Sequence, residues 1–173
     1  MKILLISLAF ASLSLAAEQA PLRAGAAAVD ITPTQFPMNM PGGFSANMAE
    51  KAHDPFHSRA LVLDDGKTTL AMVVVDNLGA GPDVLNEAKA LAAAKTGMSV
   101  DKMLISSTHT HSGPSLNTRS EAAAKYYKQF VEGVAGSIIQ AHAALRPAAV
   151  GAAAHPLPEP ALPTRQSHHC PAS

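Results

Sequence analysis

The segment Thr69–Asp76 (TLAMVVVD) constrains the fold of this chain more than any other. Side chains alternate between two faces along an extended backbone, and this run is apolar on both. It therefore predicts a strand set centrally in a sheet. The preceding His57–Leu63 (HSRALVL) is also strand-like, and Asp64-Asp65-Gly66 between them is a hairpin signal. Arg23–Ile31 (RAGAAAVDI) reads as an earlier strand, ended at Thr32-Pro33 because proline cannot continue a central ladder. Residues 33–56 carry Pro33, Pro37, Pro41, Gly42, Gly43 and Pro55 with little periodicity. They read as a long loop, and long loops in compact domains are either functional or disordered.

Helical periodicity follows. Pro82–Lys95 reads as a helix with proline in its first turn, an apolar face of Val84, Leu85, Ala88 and Leu91, and a stop at Gly97. Met103–Ser107 reads as a short buried strand. Ser120–Ala144 carries the clearest stripe. Tyr126, Phe130, Val134 and Ile138 recur every four residues, widened by Tyr127, Val131 and Ile139. Arg146-Pro147 ends it, and Ala148–Ala153 is expected to add one more short strand. The order predicts an α/β fold: a mixed sheet, partly parallel, with helices packed on it. With no tryptophan and 4% aromatic residues, its core is mostly Ala, Val, Leu and Ile.

The two ends read differently. Lys2 and the apolar run Ile3–Leu15, followed by small residues, predict a signal peptide over residues 1–17. No second apolar stretch is long enough to span a bilayer, so the mature protein is expected to be secreted or periplasmic, with no transmembrane segment. A net charge of zero excludes electrostatic nucleic-acid binding, and the single Cys170 excludes an internal disulfide. Residues 155–173 contain five prolines and no hydrophobic periodicity, and nothing in them closes a fold.

The chemistry concentrates in His109-Thr110-His111-Ser112-Gly113-Pro114. If the strand before it stays extended, the two imidazoles share a face at a strand end, where they either hold a metal or manage protons, or merely hydrogen-bond. Two histidines do not complete a zinc site, so further ligands must come from elsewhere. His53-Asp54-Pro55 with His57 either closes over such a site or ends a loop. Asp30 and Asp76 end apolar strands, as partners of a histidine or as loop caps. Ser112 lacks the G-x-S-x-G context of a serine nucleophile. His168-His169-Cys170 lies in the proline-rich tail and reads as incidental composition.

Taken together, these residues resemble the N-terminal part of the neutral/alkaline, non-lysosomal ceramidase family. The resemblance rests on Ala24–Pro33 (AGAAAVDITP), Met40–Gly43 (MPGG), His53–Val62 (HDPFHSRALV), Val73–Asp76 (VVVD) and Ser107–Pro114 (STHTHSGP), in that order over residues 24–154. It implies a secreted amidase that uses Zn2+ to hydrolyse the N-acyl bond of ceramide, giving sphingosine and fatty acid. It further implies that His109 is a zinc ligand and that His111 is a catalytic residue in the same pocket. Gly43 would line the substrate site, with Gly42 the alternative. The partner would be a ceramide-like lipid, with contact to a membrane surface.

The family's remaining ligands (a histidine, a glutamate and a tyrosine) lie well downstream, as do a serine near the scissile bond and an arginine, and its members are several times longer. Residues 18–154 are therefore expected to be a partial domain, an N-terminal catalytic-domain fragment inactive alone. Residues 155–173 are expected to be a disordered tail or the product of a frameshift or early stop at about residue 160. Two other readings remain open from the sequence: an amidase for another N-acylated substrate, and a non-catalytic, exported α/β binding domain.

Overall fold

The computed structural model describes residues 21–41, 45, 47–114, 116 and 120–154. The expected signal peptide, Gly42, Gly43 and the tail with His168, His169 and Cys170 lie outside the described residues. The elements are β1 (Arg23–Asp30), β2 (Met38–Asn39), β3 (Met48–Ala49), β4 (His57–Asp64), β5 (Thr69–Val75), α1 (Pro82–Thr96), β6 (Met103–Ser107), α2 (Glu121–Ala143) and β7 (Arg146–Pro147). The main sheet is mixed, in the order β6-β5-β4-β1-β7, and only β5 and β6 run parallel. The α/β class read from the alternation of strand and helix patterns is the one observed.

β5 sits inside the sheet, as its composition requires, between β4 and β6. Only one of its faces is covered. Ala71, Val73 and Val75 are buried in the core with α1 and α2. Leu70, Met72 and Val74, which alternate with them, remain 43%, 40% and 44% exposed. The two-faced apolar pattern thus identified the strand's place in the sheet, while both helices lie on a single side.

The β4–β5 hairpin closes on polar turn chemistry. The Asp64 carboxylate accepts from the Gly66 amide at 2.7 Å, and Asp65 accepts from Lys67 and Thr68 at 2.9 and 2.7 Å. Gly66 takes φ 80°, which glycine adopts without a Cβ penalty. These bonds hold the Asp65 carboxyl below the usual carboxylate range, with the Thr68 amide the largest cause.

α2 is the main cover. Its amphipathic stripe buries Tyr126, Phe130, Val134 and Ile138, and Ser120 caps its start by accepting from the Ala123 amide at 3.1 Å. The helix lies on β1 and β4 and beside α1. Inside that layer the Ser58 and Ser137 hydroxyls bond at 2.8 Å, so two buried polar groups satisfy one another.

The closest approach is at Gly25. A Cβ there would collide with the Ala141 carbonyl and with the Ala144–Leu145 backbone. Backbone cannot rotate away as a side chain does. Gly25→Ala is therefore expected to destabilise the protein by about 1–3 kcal/mol or more, seen as a lower urea midpoint. An unchanged midpoint would mean that the helix end is not held against β1.

Several sequence expectations are corrected. Met103–Ser107 is an edge strand with Leu104 65% exposed, because among the described residues β5 is its sole neighbour in the sheet. Leu91 is exposed, since Val84, Ala88 and Ala92 form the buried line of α1. Arg146-Pro147 ends the helix by pairing with Ala24 and Arg23, and Ala148–Ala153 forms no strand. The expected loop 33–56 contains a short ladder of Met38–Asn39 with Met48–Ala49. Gly97 stops α1 as expected, at φ 74° with its amide on the Ala93 carbonyl.

Candidate functional site

The parallel pairing of β5 with β6 brings Val75 level with Ser107, so the chain leaves both strands at the same edge of the sheet. The segment after β6 then lies along the segment after β5. Thr108 donates its amide to the Val75 carbonyl at 2.9 Å, and Thr110 donates to the Asn77 carbonyl at 3.2 Å.

Between those two bonds the backbone turns sharply. His109 has φ 61°, in the left-handed region that few residues other than glycine occupy. Such a conformation costs about 1–3 kcal/mol and persists only where the surroundings enforce it. The expectation of an extended motif fails here, since the strand ends at Ser107 and the two-residue period ends with it.

The turn itself brings the rings together. The His109 and His111 ring centroids lie 5.0 Å apart, with planes at 88°. Gly113 lets the turn seat closely, for a Cβ there would lie 3.3 Å from the Asn77 Cα.

The His109 ring is oriented by a backbone carbonyl. Its Nδ1 lies 2.7 Å from the Leu78 oxygen, and because a carbonyl only accepts, Nδ1 carries the hydrogen. In the neutral ring the lone pair is then on Nε2. This is the arrangement found in metal-binding histidines, whose second nitrogen is fixed by a carbonyl or carboxylate. The donor chemistry of His109 thus fits zinc. Among the described residues, however, no three His, Cys, Asp or Glu side chains cluster closely enough to hold an ion.

A cavity of about 520 Å³ opens beside the turn. Its apolar wall includes Phe36, Met38, Met40 and Phe56 from the 33–56 segment. Thr110, Ser112 and Asp76 also line it, whereas the two imidazoles do not. Its size is within the range of small-molecule sites.

The other candidates are settled by their partners. One Asp76 oxygen accepts from the His57 amide at 2.9 Å and from the Arg59 guanidinium at 2.7 Å, so it braces the start of β4. Asp30 caps the Thr32 turn, accepting from the Thr32 hydroxyl and amide at 2.5 and 2.8 Å. Those bonds, the hydroxyl first, hold its carboxyl below the usual range. The Thr32 hydroxyl in turn accepts from the Phe56 amide at 2.9 Å, which ties together the two ends of the 33–56 segment. His53 and Asp54 pair at 3.2 Å on the cavity wall, but both are exposed, and such a pair contributes little.

Sequence reasoning missed Leu78 and Asn77 as parts of the site. Backbone carbonyls leave no trace in residue type, and the only local sign was the Val75-Asp76-Asn77 end of an apolar run. No helix among the described residues is long and apolar enough to cross a membrane.

No protein-family model matches the chain, and no curated protein matches it in sequence. Solved structures do. A neutral ceramidase from Pseudomonas aeruginosa superposes with a TM-score of 0.66 at 26% identity, covering 75% of this chain and 23% of that one. A structure described as ceramidase complexed with C2 matches with a TM-score of 0.61, also at 26% identity, over 74% of this chain and 22% of that one. The chain therefore spans under a quarter of the length of the enzymes it matches.

Proposed function

Because the fold is that of a partial neutral-ceramidase-like domain, we propose that this chain carries the first ligand of a zinc-dependent amidase acting on the N-acyl bond of ceramide. The observation that carries the reading is the Nδ1–H bond from His109 to the Leu78 carbonyl, which leaves the lone pair on Nε2 of an exposed ring in a strained turn. When bound, zinc supplies Lewis acidity at the amide carbonyl.

The remaining roles belong to side chains on the page. His109 presents Nε2 as the donor. His111, whose ring lies edge-on to it at 5.0 Å, would hold or pass a proton. The cavity bounded by Phe36, Met38, Met40 and Phe56 takes the hydrocarbon of the lipid, and the Thr110 and Ser112 hydroxyls offer hydrogen bonds at its polar side. By the family resemblance, Gly43 would line the substrate site. The protein acts as an exported molecule, secreted or periplasmic, meeting its lipid at a membrane surface. Because no three ligating side chains cluster among the described residues, this polypeptide is expected to release no fatty acid.

Two measurements test the proposal. Purified chain is expected to bind a short-chain fluorescent ceramide saturably, with competition by unlabelled ceramide, and to release no fatty acid with or without zinc. Absence of binding would overturn the lipid assignment. Zinc-dependent turnover would overturn the claim that the chain is inactive alone. One observation favours a second reading: the imidazoles stand outside the cavity lining, as suits an exported domain that binds an apolar ligand without chemistry.

A further inference from the structure

α1 and α2 cover one face of the main sheet, and the side chains of the other face stand exposed. Strand pairing sets those side chains in rows. Ala26, Leu61, Met72 and Leu104 lie level across β1, β4, β5 and β6. Partners in register share a face, so this row is apolar from one side of the sheet to the other. The row on one side of it adds Leu63 and Leu70, and the row on the other is Ala28, Arg59, Val74 and Ser106.

Within these rows the polar side chains are already engaged. The Arg59 guanidinium donates to Asp76 at 2.7 Å, and the Ser106 hydroxyl donates to the Val73 carbonyl at 3.3 Å. Covering the face would leave neither of them without a partner. A broad apolar patch on a protein surface marks a place where something docks.

The face is also stepped. On the β1 side Ala26 and Ala28 offer only methyl groups, and a hollow of about 540 Å³ lies over them, bounded by Leu61, Met72 and Val74. On the β5–β6 side the long side chains of Leu70, Met72 and Leu104 are exposed and form a ridge. A ridge beside a hollow fits a copy of itself turned about a two-fold axis parallel to the strands, because that rotation lays the β5 side of each copy over the β1 side of the other. A two-fold axis across the strands would set ridge on ridge. With strands about 4.8 Å apart and a rise of about 3.3 Å per residue, the four strands present roughly 19 by 23 Å, so two copies cover about 900 Å² in projection. The relief of the side chains adds to that area. The sum is close to the roughly 1,000 Å² that a specific interface needs, which suits a reversible dimer.

We infer that the open sheet face is the interface of a homodimer, in which the Met72 ridge of each copy seats in the alanine hollow of the other. β4 lies between β1 and β5, so Leu61 falls near the axis and meets its own copy. The two sheets pack about 10 Å apart with strands within about 30° of each other, as in a sandwich. Ala26, Leu61, Met72 and Leu104 do not line the cavity beside the histidine turn, so the dimer stands or falls apart from the proposed chemistry.

Sedimentation equilibrium of the full chain tests this, under reducing conditions so that Cys170 forms no crosslink. Over roughly 1–100 μM protein the wild type is expected to move from monomer to dimer and to stop there. Met72→Lys would bury an unpaired charge, and it is expected to weaken the dimer at least about tenfold while circular dichroism stays unchanged. Leu91→Lys, at an exposed position on α1, is expected to leave the dimer intact. Ala26→Leu fills the hollow and makes the face more apolar. It is expected to weaken the dimer, because the ridge no longer seats, whereas a merely sticky face would associate more tightly. A wild type that stays monomeric, or one that grows beyond the dimer, would overturn the inference. So would a dimer that Met72→Lys leaves unchanged or that Ala26→Leu tightens. Capture of a monomeric chain by phosphatidylcholine vesicles, lost in Met72→Lys, would overturn it by giving the face to a lipid surface.

Discussion

Alanine at His109 is expected to lower the zinc affinity of this chain by at least the roughly 10–100-fold that is lost when a ligand's supporting hydrogen bond is removed. The argument starts from the ring. Its Nδ1–H is held by the Leu78 carbonyl, so Nε2 is the only ring nitrogen with a free electron pair in the neutral form. Removing the ring removes that donor, on which the proposed site rests. Competition against a chromophoric chelator at pH 7–8 measures it, with His53→Ala, at a histidine 93% exposed, as the control. Equal affinity in the wild type and His109→Ala would remove His109 from the metal. A fall of the same size in His53→Ala would mean that zinc binds wherever imidazole is exposed.

Replacing Phe130 by alanine is expected to lower stability by about 3–5 kcal/mol, the usual range for emptying a phenylalanine site in a packed core. Phe130 is fully buried midway along α2, stacked edge-on to Tyr126 at 6.2 Å between ring centroids. The core has few large side chains, and alanines such as Ala88, Ala92 and Ala135 line it. Small neighbours cannot lean into the space left behind, so the cavity stays. Native domains are stable by about 5–15 kcal/mol in total. The variant is therefore expected to unfold at much lower urea than the wild type, with loss of α2 helicity by circular dichroism. A change below about 1 kcal/mol would mean that Phe130 is not a packing centre.

Much of the fold was legible because its signals are local. The four-residue stripe from Tyr126 to Ile138 marked α2, and the stripe's side chains are the ones buried. Gly97 and the Asp64-Asp65-Gly66 turn were readable because left-handed backbone and carboxylate-to-amide bonds depend on residue type. The His109–His111 pair was readable as a unit, though for a different geometric reason than expected. The rings meet through a turn at a left-handed residue, not through strand alternation.

What escaped the sequence depends on residues far apart along the chain. Leu91 fits a helical apolar face by its spacing, yet the side of α1 that is buried depends on where α2 lies. Arg146-Pro147 carries no strand signal, and it joins the sheet because the end of α2 descends onto Gly25 and delivers it to the edge of β1. For Asp76 and Asp30 the sequence left two roles open, partner of a histidine or loop cap. One became a brace for Arg59 and the His57 amide, the other a cap for Thr32.

By itself the sequence determined the long strands and both helices, their α/β class and the chemical character of the histidine motif, since periodicity, turn chemistry and imidazole are properties of neighbouring residues. The tertiary structure alone decided that both helices share one face of the sheet. It also decided that His109 gives its Nδ1 hydrogen to Leu78, and that the turn rests on a buried asparagine. The reason is physical: a carbonyl acceptor is the same in every residue, and only the parallel pairing of β5 with β6 brings that carbonyl within 2.7 Å of the ring.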